Sequence, residues 1–358
     1  MSRLGVALSV LTLALSGGAA YAATGEAPDA VSQPGSQPAS ERRLETVGPI
    51  DTVVAISIDG LNPKAITKLG KQRAPVLNKL IRQGATTLNA RTAMELTDTL
   101  PNHTSMVTGR RIEAATGGHG VTWNDDRPLP ATVQDAAGHD VSSVFNVVHD
   151  AGGSTALFAS KTKFSLWDRS WPDAIDTDLI VEPNRPLVRA FVTDLTSQTR
   201  SFRFLHLSAP DATGHARGFM SPAYLDAVAA TDRLVGKVMK TIAVTPALTG
   251  HTAIILTADH GGQGASHRTP DKLANYKVPF MVWGPDVAAG ADLYAINPDY
   301  TNPKLARTTY ADAPIRNGDV ANLALDLLEL PAAPDSELNA DQDLYWVVFT
   351  TQRDAATG

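Results

Sequence analysis

The chain has 358 residues, 43% of them hydrophobic, which is enough for a sizeable core in one large α/β domain or two ordinary ones. Its formal charge of -6 and the lack of any basic run argue against charge-driven binding to duplex nucleic acid or to an anionic membrane. The lack of cysteine excludes disulfides, thiolate metal sites and Cys nucleophiles, so any metal must be held by His, Asp and Glu.

The chain opens with Arg3, an apolar run over residues 4 to 15, and small residues ending in Ala20-Tyr21-Ala22. This pattern predicts a secretory signal peptide over residues 1 to 22, cut before Ala23, and hence a secreted or periplasmic protein. The run is shorter than the ~20 residues of a membrane span, and no later segment reaches that length, so the mature chain is expected to have no span. Residues 23 to 46 are rich in Ala, Ser, Pro, Gly and Gln and read as a flexible leader. A single α/β domain is expected over 47 to 350.

That domain starts at TVVAISIDG, a β-branched apolar run that stops at Asp59-Gly60, as a buried parallel strand does. The design returns at STALFAS (154 to 160), FRFLHLSAPD (202 to 211), HTAIILTADHGG (251 to 262) and VPFMVWGP (278 to 285). Helical spacing marks residues 74 to 84, 185 to 198, 222 to 242 and 317 to 330, with a short helix over 101 to 109. Strands alternating with helices predict an α/β fold with a mostly parallel central sheet and helices on both faces. Residues 110 to 150 and 161 to 185 are the least regular and are expected to form loop-rich cap elements.

Three strands run into acids: Asp59, Asp211 and Asp259. Carboxyl ends of parallel strands are where α/β sheets place ligands, so these three should converge. Taken singly, an Asp there also suits a turn or a helix N-cap. In PDATGH, His215 stands four residues after Asp211, a spacing that lets a carboxylate and an imidazole share one cation. In ADHGGQGASH, Asp259 and His260 are adjacent, and the glycines allow the chain to turn towards His267. In TDTLPNHTSMVTG, Thr99 precedes a short helix whose N-terminus offers N–H groups to an oxyanion. A Thr hydroxyl there is a nucleophile only if a metal or base activates it, and it equally suits an N-cap.

These pieces, in this order, resemble the alkaline phosphatase superfamily, and most closely its nucleotide pyrophosphatase/phosphodiesterase branch. The motifs SIDG, TLPNH, PDATGH, ADHGG and His267 span roughly residues 50 to 290. The resemblance implies an alkaline-phosphatase-like fold and two divalent metal ions, zinc by analogy, bridged by a small phosphorylated substrate such as a nucleotide or other phosphodiester. It implies one metal on Asp59, Thr99, Asp259 and His260, and a second on Asp211, His215 and His267. Thr99 would then form a covalent phosphothreonine, and Asn102 would hydrogen-bond a phosphoryl oxygen. The expected reaction is phosphodiester or pyrophosphate hydrolysis, with a phosphomonoesterase or phosphonate hydrolase as the alternative. Leu100 replaces the family's Phe, and only six residues separate His260 from His267, where the family often has a long insertion.

Overall fold

The computed structural model describes residues 50–348, so the expected signal segment and leader lie outside the described residues. In chain order the elements are β1 (Thr52–Ile58), α1 (Pro63–Arg73), α2 (Pro75–Gln83), β2 (Ala85–Arg91), α3 (Thr99–Thr108), α4 (Val133–Ala137), α5 (Val144–Asp150) and β3 (Thr155–Ala159). They continue with α6 (Ser165–Ser170), β4 (Asp178–Ile180), α7 (Asn184–Ser197), β5 (Phe202–Leu207), α8 (Ala209–Arg217) and α9 (Pro222–Val244). The last are β6 (Thr252–Thr257), α10 (Leu273–Tyr276), β7 (Lys277–Trp283), α11 (Leu293–Ile296) and α12 (Val320–Leu327).

The strands form one sheet in the order β2-β7-β6-β1-β5-β3-β4. β6, β1, β5, β3 and β4 are parallel, and every residue of β1, β5 and β6 is buried, which explains their unbroken apolar runs. Ile58 pairs with Leu207 and Ser57 with Thr257, so the carboxyl ends of the three central strands lie level. β7 departs from the expected parallel pattern and runs antiparallel to β6. The link from β6 to β7 folds as the loop that carries Asp259, His260 and His267 and holds only the four-residue α10, so no helix takes the chain back across the sheet to start a parallel strand.

Helices pack in two groups. α1, α2, α7, α8 and α9 form one layer, while α3, α5 and α12 form another. The first layer is fastened by Asp232 of α9, whose carboxylate accepts from the N–H of Val76 (3.2 Å) and of Leu77 (2.7 Å) at the start of α2. That pairing satisfies donors a helix N-terminus leaves open and places negative charge at the positive end of the helix dipole. Part of the 110 to 150 stretch belongs to the second layer and is not a cap. Val144, Phe145 and Val148 of α5 are fully buried, and Phe145 packs against Phe202 of β5 with ring centroids 5.4 Å apart. Among the described residues no helix is long and apolar enough to cross a membrane.

Candidate active site

Asp59 follows β1 directly, Asp211 sits in the first turn of α8 after β5, and Asp259 and His260 follow β6. The level ends of these strands bring the four side chains together, all of them buried. Ligand atoms of Asp59, Asp259 and His260 lie within 4.8 Å of one another, and so do those of Asp211, His215 and His267. The two trios adjoin: the rings of His260 and His267 stack with centroids 3.6 Å apart and planes inclined by 11°. Thr99 starts α3 beside them, its Oγ1 at 3.4 Å from His260 Nε2.

The hydrogen bonds settle which ring nitrogens face inward. His260 Nδ1 meets Gly261 O at 2.9 Å, His215 Nδ1 meets Ala265 O at 2.9 Å, and His267 Nδ1 meets Thr97 O at 2.5 Å. A carbonyl only accepts, so each Nδ1 carries a proton and each Nε2 faces the trios, as a bare lone pair wherever the ring is neutral. His215 Nε2 and His267 Nε2 face each other at 3.1 Å, and His260 Nε2 faces Asp259 Oδ2 at 3.1 Å. These juxtapositions repel unless a metal cation or a proton lies between them.

The carboxylates point the same way. Asp59 Oδ1, Asp211 Oδ1 and Asp259 Oδ2 are buried and accept no hydrogen bond from the protein. One orphaned oxygen on each of three buried acids is a costly arrangement without a partner, and it fits two divalent cations held by His and Asp. The local field also attracts positive charge. Burial works against protonating His260, yet Asp259, Asp211 and Asp59 outweigh it and raise its pKa to about 9. Burial and the charge of His260 lower His267 to about 2. Burial pushes Asp59 up, but Lys161, His206 and His260 prevail and hold it well below the usual carboxylate range.

Two residues at the site escaped the sequence reading. Lys161, just past β3, places Nζ at 2.6 Å from Asp59 Oδ2, 2.7 Å from Asp211 Oδ2 and 3.4 Å from Thr99 Oγ1. His206 within β5 accepts from Ser160 N–H at Nδ1 (3.2 Å), so its Nε2 donates to Asp59 Oδ2 at 2.9 Å. Lys161 had a signal, since STALFAS was already seen as a strand ending at that edge; His206 lay inside an apolar run and had none. His103 is structural, with Nε2 at Ser57 Oγ (2.7 Å) and Nδ1 donating to Thr99 O (2.8 Å).

Asn102 lies in the first turn of α3, close to Thr99 in sequence. Its amide donates to Leu96 O (2.8 Å) and Asp98 O (3.0 Å), and its Oδ1 accepts from Ala93 N–H (2.9 Å). These bonds tie it to the backbone that presents Thr99. The amide at the head of α3 is that of Asn124, whose Oδ1 accepts from Leu100 N–H (2.9 Å) and Lys163 Nζ (2.8 Å) while Nδ2 is held only loosely, 3.4 Å from Asp98 Oδ1.

The family model for type I phosphodiesterase / nucleotide pyrophosphatase matches residues 53–314, a stretch that takes in both trios and Thr99. The chain belongs to the type I phosphodiesterase/nucleotide pyrophosphatase family. Ectonucleotide pyrophosphatase/phosphodiesterase family member 1 of Mus musculus is 29% identical over 227 residues, a match covering 59% of this chain and 24% of that protein. Murine ectonucleotide pyrophosphatase/phosphodiesterase 5, solved as an inactive variant in complex with AMP, superimposes with a TM-score of 0.61 at 16% identity. That superposition covers 82% of this chain and 99% of the murine one. An alkaline phosphatase superfamily protein from Vibrio parahaemolyticus gives a TM-score of 0.53 at 13% identity over 81% of this chain and 69% of that one. Within this phosphodiesterase-family fold the sheet edge carrying Asp59, Asp211 and Asp259 is the candidate active site.

Proposed function

We propose that this chain is an exported phosphodiesterase or nucleotide pyrophosphatase that works through a covalent phosphothreonine at Thr99. The observation that carries the reading is the position of Thr99 Oγ1, 3.4 Å from both His260 Nε2 and Lys161 Nζ, beside two adjoining trios that each contain an orphaned buried carboxylate oxygen. Asp59, Asp259, His260 and Thr99 would hold one divalent ion and Asp211, His215 and His267 the other, with zinc the expected metal. Such ions supply Lewis-acid stabilisation of the alkoxide and of the transferred phosphoryl group.

Thr99 Oγ loses its proton to water and attacks phosphorus in line, the P–O bond to the leaving group breaks, and the leaving oxygen takes up a proton from water. A water molecule then attacks the phosphothreonine, the bond to Oγ breaks, one proton of that water returns to Oγ, and a phosphomonoester or phosphate departs. Lys161 Nζ stands where negative charge develops at Oγ, and Asn124 Nδ2 is the amide donor free to turn towards a phosphoryl oxygen. Family membership and the AMP complex of the murine relative support a small nucleotide-like diester as substrate.

Lys161 and the part-buried Lys163 bring two ammonium groups to one mouth, which favours a second reading, hydrolysis of a phosphomonoester or phosphonate with more than one negative charge. Turnover of bis-p-nitrophenyl phosphate, p-nitrophenyl phosphate and phosphonoacetate ranks the two. Replacing Thr99 by Ala is expected to remove hydrolysis of every ester tried; full activity in Thr99→Ala would overturn the covalent reading.

A further inference from the structure

The Lys and Arg residues of this acidic chain are scattered in sequence but gathered by the fold. Helices α1, α2, α7 and α9 carry eleven of them against three acids, and α8 of the same layer adds Arg217 and the active-site Asp211, while the whole chain has a formal charge of -6. Two of the three acids are buried and engaged: Asp232 caps α2, and Asp194 pairs with Arg200 and Arg203. Only Asp226 is exposed, and it pairs with Arg73. On the surface stand Lys64, Lys68 and Lys71 of α1 and Arg233, Lys237 and Lys240 of α9, and α2 and α7 add two cations each. The helices of the other layer, α3, α5 and α12, hold Asp150 and Asp326 and no Lys or Arg.

We propose that the α1–α2–α7–α9 layer is a docking face for an anionic phospholipid surface. The cations spread over a layer whose longest helix, α9, runs ~34 Å for its 23 residues, and they line no cleft that would follow a single strand. The aromatic side chains of these helices, Tyr224 and Phe191, are buried, and the half-buried Trp283 beside them is covered by Lys79, so these helices offer nucleic-acid bases no open row of rings to stack on. Where α1 and α9 meet, Arg73, paired with Asp226, and Arg233 border an open cavity of about 350 Å³, in which Arg233 is the cation left to a phosphate-bearing headgroup. Val244 at the end of α9 is the one large apolar side chain of these helices that is exposed, so attachment is mainly electrostatic and salt-sensitive. The active site lies at the carboxyl ends of the strands, off this face, and stays open when the face is covered.

The test is co-sedimentation of the full chain with phosphatidylcholine vesicles, with and without phosphatidylglycerol, at low and raised salt. Binding is expected with the anionic lipid at low salt, with none of the gain on neutral vesicles and loss at raised salt. Lys237→Glu/Lys240→Glu should weaken it by at least on the order of thirtyfold, since each cation near an anionic surface contributes about 1 kcal/mol. The control Lys272→Glu/Lys304→Glu carries the same change in net charge on exposed residues outside the layer and should bind as the unmodified chain does. Thermal unfolding of both variants shows that they fold. Equal binding to neutral vesicles, equal loss in the two variants, or tighter binding to a DNA duplex than to anionic vesicles would each overturn the proposal.

Discussion

Asp59 gives its Oδ2 to His206 and Lys161 and keeps Oδ1 bare, so its two oxygens are already assigned different tasks. His206 therefore acts on the site through Asp59, orienting the carboxylate as a hydrogen-bonded neighbour of a metal ligand does. Replacing His206 by Phe removes the donor and keeps an aromatic ring beside Phe164, 4.5 Å away by centroid. Zinc affinity, measured by competition with a chromogenic chelator, is expected to fall roughly 10- to 100-fold; unchanged affinity would show that Asp59 needs no such support. The two asparagines should separate in the same spirit. Asn124→Ala is expected to lower kcat/KM on diesters on the order of 100-fold with little change in melting temperature, as loss of one oxyanion donor does. Asn102→Ala leaves Ala93 N–H and two carbonyls without their partner and should cost about 1 to 3 kcal/mol of stability, read in urea unfolding. The acids and histidines of both trios were legible because each lies in a short motif after an apolar run. Asn124 was not, since nothing local distinguishes it from any other polar loop residue, and the bonds of Asn102 to Asp98, Leu96 and Ala93 follow from how the chain before α3 folds back, which no motif encodes.

At the scale of elements, the loop from β6 to β7 must carry His260 into one trio and His267 into the other. Gly261 and Gly262 make this possible: a Cβ on Gly261 would stand 2.1 Å from Ala274 O, and one on Gly262 would stand 2.3 Å from the Phe219 ring. Gly261→Ala must push the loop off α10, so it is expected to lose a bound zinc by metal analysis while keeping most of its circular dichroism; full zinc content would refute that tie. Strand β4 makes a separate prediction. Burial, with Asp168 adding to it, raises Asp178 to about 6, and its Oδ1 has no partner. The folded state thus holds a proton there that the unfolded chain releases near pH 4, so ionising Asp178 subtracts stability as pH rises from about 4 to about 6. Asp178→Asn should stabilise the protein by up to about 2 kcal/mol at pH 7 and hardly at all at pH 4. A pH-independent effect in thermal unfolding would exclude this cause. The strands that flank the sheet were the hard ones to read: β4 has three half-buried residues and β2 begins ATT, with no run or alternation strong enough to declare itself. α1 was missed because Gly70, at φ 57°, breaks its apolar period.

At the scale of the molecule, alternation of strand and helix made the α/β class and the location of the site readable, because both follow from local runs and their ends. The segregation of charge was not readable, because the cations of α1 and α9 are at least 160 residues apart and meet only through helix packing. The same distribution has a consequence for stability. Three buried carboxylates with an orphaned oxygen each, and two imidazole lone pairs 3.1 Å apart, are brought together by folding and kept apart in the unfolded chain. The core of β1, β5 and β6 supplies the energy that holds them, and a cation that binds only the folded arrangement adds to it by mass action. Zinc at 100 times its dissociation constant should therefore stabilise the fold by about 2.7 kcal/mol per site, a rise of several degrees in melting temperature for a domain of this size. Asp211→Asn weakens one trio and leaves the other, so it should remove about half of that rise. A melting temperature that does not respond to zinc, manganese or their removal by chelator would mean that the trios hold no metal and that the repulsion within them is met by protons alone, as the raised pKa of His260 would then require.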